Sequence, residues 1–286
     1  MSDVVRSIST ECVCTLELTD VTLVCVDTRA PAIAVAAMQR CMEQVKFARA
    51  VLFTDAAAIA SLPHDIDGVA IRIGSVDEYS QFLLRGLAEH ITTAFVLIVQ
   101  WDGYILDAAQ WDPAFLDYDY IGANFHSGPP DKTVGNGGFS LRSRRLLEAM
   151  LDPAMVLSNP EDTCICHLNR DRLERDHGIR FATSELASHF SFERLPPAGP
   201  TFGFHGLFNM HRIMSADALT TLLESLPDEL VCGVDGRDLC RTLIESGQLA
   251  MAELLIRKRR RLGLLHNRTL RLRWALARAK LARRSS

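Results

Sequence analysis

The chain has 286 residues, of which 48% are hydrophobic and 23% charged, a globular composition long enough for one large α/β domain or a domain plus an appendage. No apolar run reaches the roughly 18 residues that span a bilayer, and the first 20 residues lack a basic start followed by an apolar stretch, so a cytoplasmic protein is expected. The net charge of −4 hides a split: all 35 acidic residues lie at or before Glu253, while 12 of the 31 Lys and Arg fall in Arg257–Arg284, leaving a body near −16 that excludes nucleic-acid binding.

Val21–Val26 (VTLVCV) is short, β-branched and almost wholly apolar, as expected of a strand buried on both faces. Pro31 opens a helical pattern expected to run through Phe47. Ala50–Thr54 reads as a second strand and Gly68–Ile73 as a third. Asp77–His90 reads as an amphipathic helix, and Ala94–Val99 as a fourth strand running into Gln100-Trp101-Asp102-Gly103. This alternation implies parallel βαβ units, in which ligands bind beyond the carboxyl ends of the strands. Asp27, Thr28, Thr54, Asp55, Gln100 and Asp102 stand at those ends.

The second half changes character. Ser127–Lys132 (SGPPDK) reads as a loop, Val134–Ser143 (VGNGGFSLRS) is glycine-rich, and Arg144–Met150 begins a helix. Pro160–His177 is expected as one helix stopped by Gly178. Eight cysteines include the pairs Cys12/Cys14 and Cys164/Cys166, neither at a usual zinc spacing. Cys25, Cys41, Cys164, Cys166 and Cys240 sit in apolar patterns and are expected to be buried, reduced thiols.

Several residues carry chemistry. Asp102, at the end of a buried strand beside the unhindered Gly103, suits a metal ligand bridging two phosphates, although a turn or capping aspartate looks the same. Gly137 and Gly138, beside Asn136, suit a backbone passing close to a sugar or phosphate, or a bare turn. Glu161-Asp162 sits behind Pro160, where a general base or an ordinary first-turn acid would both fit. His205, between Phe204 and Gly206, is either a second metal ligand or structural.

In this order the segments VQWDGYILD (Val99–Asp107), FLDYDYIGA (Phe115–Ala123), VGNGGFSLRS, PEDTCIC (Pro160–Cys166), HGIRFA (His177–Ala182) and FGFHG (Phe202–Gly206) resemble a family of bacterial GT-A-like glycosyltransferases catalogued mostly as a domain of unknown function. The resemblance runs from about Leu18 to Met210. It implies an α/β, Rossmann-like, mostly parallel sheet flanked by helices, and transfer of a hexosyl unit from a nucleotide sugar, UDP-linked by preference, to a glycan or lipid-linked acceptor. GT-A enzymes place a D-x-D motif after the fourth strand. Here it reads Gln100-Trp101-Asp102, so Asp102 survives as the ligand for Mn²⁺ or Mg²⁺, with His205 completing the shell. The resemblance to inverting galactosyltransferases points to Asp162 as catalytic base with Glu161 as a catalytic partner to the acceptor, and to Asn136, Gly137, Gly138, Gln100 and Trp101 at the donor. Asp27, Thr28 and Asp55 are candidate nucleoside contacts, or strand-end turn residues.

The expected organisation is an N-terminal extension (1–17), the glycosyltransferase domain (18–214) and a helical region (215–286). Its basic stretch 254–284 alternates leucines with arginines, as would an amphipathic helix on an anionic membrane surface. A helix packed on the acidic body gives the same pattern. Competing readings are a nucleotidyltransferase or sugar-nucleotide hydrolase, which would want a glycine-rich phosphate loop where this chain offers only Arg29, and a non-catalytic carbohydrate- or nucleotide-sugar-binding protein.

Overall fold

A computed structural model describes residues 16–283; Cys12, Cys14, Arg284 and most of the expected N-terminal extension lie outside them. The first half is built as β1 (Leu16–Val26), α1 (Pro31–Met42), β2 (Val45–Thr54), α2 (Ala56–Ile59), β3 (Asp67–Ala70), α3 (Val76–Gln81, continued by a π turn and a 3₁₀ turn to His90) and β4 (Phe95–Val99). These four strands pair in parallel, with β1 between β2 and β4. β5 (Tyr120–Gly122) and β6 (Phe139–Ser143) extend the sheet beside β4, where β6 runs antiparallel, giving the order β3-β2-β1-β4-β6-β5. The architecture is thus the expected mixed, mostly parallel sheet flanked by helices.

Strand parity explains the continuous apolar runs. Leu23, Cys25, Leu52, Leu97 and Val99 face one core cluster, and their neighbours Val24, Val26, Val51, Phe53, Val96 and Ile98 face the other. With both faces covered, alternation disappears from the sequence.

Several element boundaries differ from expectation. The helix after β1 stops at Met42 because Val45–Phe47 is extended against Leu16–Leu18, which puts Val45 in the core and lets Lys46 reach Glu17 at 3.0 Å. β1 therefore begins at Leu16, inside the expected extension. β3 ends at Ala70, so that Ile73 leaves the sheet to wall a cavity. The single helix expected over Pro160–His177 is α5 (Glu161–Thr163), a π turn (Cys164–Leu168) and α6 (Arg170–His177), interrupted at Asn169. The Asn169 amide bonds Val156 and Cys164 carbonyls at 2.9 and 3.0 Å, competing with the helical ladder. Gly178 ends α6 in the left-handed conformation, as expected.

The remaining elements are α4 (Arg144–Ala149), α7 (Ser184–Phe190), the short pair β7 (Ser191–Phe192) and β8 (Gly203–Phe204), α8 (Met210–Ile213), α9 (Ala216–Ser225), α10 (Asp228–Val231), α11 (Val234–Glu245), α12 (Leu249–Arg261) and α13 (Asn267–Ala282). The basic stretch is not one helix. Gly263, with φ 70°, separates α12 from α13, and α12 is docked on the protein: Leu254, Leu255 and Ile256 are in the core. Two of its cations are buried, Lys258 donating to the Leu226 carbonyl at 2.6 Å and pairing with Asp228 at 3.1 Å, and Arg259 donating to Thr269 Oγ1 at 3.0 Å. Cys25, Cys41, Cys164, Cys166 and Cys240 are buried free thiols as expected, with burial pushing Cys41 and Cys240 up to about 12. Among the described residues no helix is long and apolar enough to cross a membrane.

Candidate functional site

A cavity of about 360 Å³ opens beyond the carboxyl ends of β1 and β4, lined by Asp27, Thr28, Arg29, Ile73, Tyr79 and Gln100, with Trp101 contributing from the edge of the core. Asp27 is buried and its Oδ1 accepts the Arg29 and Ala30 amides at 2.7 and 2.6 Å, so it fixes the turn into α1 while walling the cavity. Thr28 donates to the Ile73 carbonyl at 3.3 Å, tying β1 to the segment after β3. Gln100 donates from Nε2 to the Tyr79 hydroxyl at 2.8 Å. Asp55 is exposed at the start of α2 and does not line the cavity.

Gln100 also connects the cavity to a charged cluster. Its Oε1 lies 3.1 Å from His205 Nε2, and that nitrogen lies 3.4 Å from Asp102 Oδ1, long for a hydrogen bond but close for a charge pair. The second carboxylate oxygen of Asp102 accepts the Leu207 amide at 2.9 Å, and its carbonyl accepts the Gly206 amide at 2.9 Å. Asp102 therefore anchors the chain that carries His205, while Oδ1 is buried without a hydrogen bond. Burial alone would push His205 down, but the charge of Asp102, aided by Glu193 and Asp235, holds it up to about 9. Burial likewise opposes ionisation of Asp102, and His205 outweighs it, keeping the carboxyl below its usual range.

Among the described residues no three His, Cys, Asp or Glu side chains form a group that could hold a metal ion. Gln100 Oε1 and Asp102 Oδ1, however, both lie close to His205 Nε2. Their separations of 3.1 and 3.4 Å are near the roughly 3 Å between neighbouring ligands of an octahedral cation bound at about 2.1 Å. The set fits a hard divalent ion once His205 gives up its Nε2 proton. Asn136, held at φ 50°, borders His205 Nδ1 at 3.2 Å, and its buried Oδ1 lacks a partner. Turning that amide would let Oδ1 accept from Nδ1–H and leave Nε2 facing Asp102.

β6 runs antiparallel to β4, so the turn that precedes it, Asn136–Gly138, lies at the carboxyl end of β4. A Cβ on Gly137 would sit 2.0 Å from Glu161 Oε1, and one on Gly138 would sit 2.2 Å from His205 Nε2. Within the protein itself these glycines make room for a carboxylate and an imidazole. The same holds for Gly103, where a Cβ would meet the Phe204 carbonyl at 2.8 Å.

The two acids of the E-D pair part company. Glu161 is buried and paired with Arg142, whose Nη2 lies 3.1 Å from Oε1; burial raises the Glu161 carboxyl against the pull of that guanidinium. Arg142 is completely buried on β6 and also donates from Nε to Ser140 Oγ at 3.1 Å. Asp162 is half-buried, accepting the Gly137 amide at 3.1 Å and its neighbour Thr163 amide at 2.6 Å. Of the pair, Asp162 keeps the accessible carboxylate, while Glu161 is turned inward onto Arg142.

Sequence reasoning missed Tyr79, Arg142 and Glu193. Tyr79 lay inside an amphipathic pattern, and Arg142 stood in the quoted VGNGGFSLRS, where an arginine in an apolar strand was the available signal. Glu193, whose Oε1 is 4.0 Å from His205 Nδ1, had none. Beside it Arg194 pairs with Asp235, pairs with Asp238 at 2.7 Å and stacks over Phe208 at 4.0 Å. α11 thus clamps the His205 segment, and the C-terminal helices are part of the site's support.

A family described as a protein of unknown function (DUF5672) matches residues 69–205, which contain Tyr79, Gln100, Asp102, Asn136, Arg142, Glu161, Asp162, Glu193 and His205 but not Asp27, Thr28, Arg29, Asp55 or the acids of α11. No curated protein matches the chain. Among solved structures the chain is similar to the galactosyltransferase LgtC in complex with donor and acceptor sugar analogs, at 14% identity and a TM-score of 0.45 over 72% of this chain and 96% of that one. It is also similar to the glycosyltransferase GlyE of Streptococcus pneumoniae TIGR4 (12%, 0.39, 64% and 53%) and to mouse xyloside xylosyltransferase 1 (10%, 0.38, 67% and 98%).

Proposed function

We propose that the protein is a glycosyltransferase that moves a hexosyl unit from a nucleotide sugar, UDP-linked by preference, to a hydroxyl of a glycan or lipid-linked acceptor in bacterial surface glycan assembly. The observation that carries this reading is a continuous line of contacts: the cavity meets Gln100, Gln100 meets His205, His205 meets Asp102 and packs on Gly138, and the next amide, Gly137, holds Asp162. A cavity, a charged cluster and an accessible carboxylate follow one another, and we read them as the nucleoside, diphosphate and acceptor ends of the site.

In the inverting reaction this arrangement supports, Asp162 accepts the proton of the acceptor hydroxyl as its oxygen bonds to the anomeric carbon. The bond from that carbon to the diphosphate oxygen breaks on the opposite face, and the electron pair leaves with the nucleoside diphosphate. The Gly137 amide aims the Asp162 carboxylate, and the buried Glu161–Arg142 pair fixes the turn that carries that amide. Mn²⁺ or Mg²⁺ held by Asp102, His205 and Gln100 would supply neutralisation of the diphosphate charge. Arg29, exposed at the cavity, adds a fixed cation of the chain's own.

The test is thermal stability against a panel of nucleotide sugars with and without Mn²⁺. A metal-dependent rise with one donor, lost in Asp102→Ala, supports the reading. With that donor, Asp162→Asn should lower kcat by about 10²–10⁴-fold while keeping the donor-induced rise; product of retained configuration would remove Asp162 from the role of base. A non-catalytic nucleotide-sugar-binding protein is favoured by one observation, the amide Gln100 where a second acid would strengthen the metal site. Donor-induced stabilisation without turnover, unchanged in Asp162→Asn, would establish it instead.

A further inference from the structure

α13 is two-sided in a way that α12 is not. Thr269, Leu272 and Leu276 are buried against the protein, and Ala279 continues the same line. At about 100° per residue, the opposite side carries Leu270, Trp274 and Ala277 within about 60° of one another. Trp274 is 71% exposed and Leu270 39%, and the turn leading into the helix adds Leu265 at 57%. An exposed tryptophan on an apolar line is unusual on a surface that otherwise buries its large aromatics. Arg271 and Arg278 flank this line on one side and Arg273 on the other, all exposed. Among the described residues none of the three pairs with a carboxylate, whereas Lys258 and Arg261 of α12 pair with Asp228 and Lys280 pairs with Glu253.

We infer that the outer face of α13 is a docking surface for an anionic lipid bilayer, lying in the plane of the membrane with Trp274 and Leu270 at the headgroup boundary and Arg271, Arg273 and Arg278 on the phosphates. The choice of occupant follows from charge: no acidic residue follows Glu253, and the apolar line is bordered by cations on both sides. The membrane contact thereby narrows from the whole stretch 254–284 to the outer face of one helix, because α12 spends its apolar face on the protein's own core. The inference does not depend on the proposed reaction.

The experiment is co-sedimentation of the full chain with phosphatidylcholine vesicles, with and without 30% phosphatidylglycerol, at low and high salt. Binding confined to the anionic vesicles and weakened by salt is expected, with tryptophan emission quenched by brominated lipid. Arg271→Ala/Arg273→Ala/Arg278→Ala should lower the partition coefficient about a hundredfold, and Trp274→Ala roughly tenfold or more. Trp274→Phe should bind nearly as well but lose the quenching. These side chains are exposed, so unchanged far-ultraviolet dichroism and Tm are expected in every variant. Equal binding to neutral vesicles, or wild-type binding by the triple variant, would overturn the inference. So would absence of vesicle binding together with a concentration-dependent dimer that Trp274→Ala abolishes, which would assign the face to a second copy of the chain.

Discussion

The two sides of the candidate site are built differently. The cavity side is assembled from strand ends and the turns that follow them: Asp27 and Thr28 after β1, Ile73 after β3, Gln100 after β4, with Tyr79 from the helix between. Apart from the link from Gln100 to His205, its side-chain contacts stay within the first hundred residues, and apart from Asp27 its polar groups are partly exposed. The chemical side gathers residues more than a hundred positions apart, Asp102 with His205, and closes them around two buried charge pairs and two glycines that admit no side chain. One side tolerates adjustment, whereas the other is fixed by desolvated charge, for which loss of a partner is far costlier than any gain from the pair.

The largest effect should come from Arg142→Met. It leaves Glu161 buried without its cation, at a cost of about 3–5 kcal/mol, seen as a fall in Tm on the order of 10 °C. Arg142→Met combined with Glu161→Leu should recover much of that loss without recovering turnover, since the buried pair would be gone but the turn at Gly137 would be less firmly set. A comparable loss from Thr28→Val on the cavity side would show that the two sides are not different in kind.

That contrast also governs what the sequence could say. Val21–Val26 and Ala94–Val99 announce themselves because a strand covered on both faces must be apolar throughout, and ligands in such sheets gather at the carboxyl ends. Asp27, Thr28, Gln100 and Asp102 could therefore be placed from local pattern. Asp55 stood at an equivalent strand end and remained outside the cavity, because which strand ends face the ligand depends on how later segments cover the sheet. Arg142, Glu161 and Glu193 owe their roles to partners distant along the chain, and no period or spacing reveals a partner. The basic tail is a different case: α12 and α13 are both rich in leucine and arginine, and the sequence leaves a docked helix and a membrane-facing one both open, until the packing of Lys258 and Arg259 shows that α12 is docked.

Gly138→Ala and Gly74→Ala test the contrast with the same added methyl group. At Gly138 the Cβ would stand 2.2 Å from His205 Nε2, and moving the ring breaks its approach to Gln100 and Asp102. A stability loss of about 1–3 kcal/mol is expected, with the metal-dependent response to donor abolished. Gly74 lines the cavity, but there the Cβ would meet only Glu78 Oε2 at 3.5 Å, an ordinary contact. Gly74→Ala should change Tm by less than the equivalent of about 0.5 kcal/mol, measured in the same thermal scan.

Tyr79→Phe probes the cavity side where it touches the chemical side. It removes the acceptor that holds the Gln100 amide, a loss of about 0.5–1.5 kcal/mol, and the donor would meet a less fixed Gln100. The expected result is a KM for donor raised several-fold with kcat nearly unchanged, the signature of an interaction equal in ground and transition states. A fall in kcat with KM unchanged would move Tyr79 to the chemical side.

A further small effect lies outside both sides, in the helices that brace the His205 segment. Asp228 is held down at about 2 by hydrogen bonds from Arg261, with Lys258 adding to them. Because its folded value is below the ordinary 3.8, it stabilises the fold above about pH 4, and that contribution is lost as the pH falls through 4 toward 2. Arg261 is largely exposed, so solvent screening limits the contribution to under about 1 kcal/mol. Asp228→Asn should therefore lower stability slightly at neutral pH and flatten the acid limb of the stability curve, with the difference from wild type vanishing below about pH 2. α10 and α12 pack together and α11 carries the acids that grip Arg194, so the residual acid sensitivity should appear first as hydrogen exchange in α10–α12 and the 205–209 segment. Exchange beginning instead in β1–β4 would mean that the parallel sheet, and not the C-terminal brace, is the weaker support of the site.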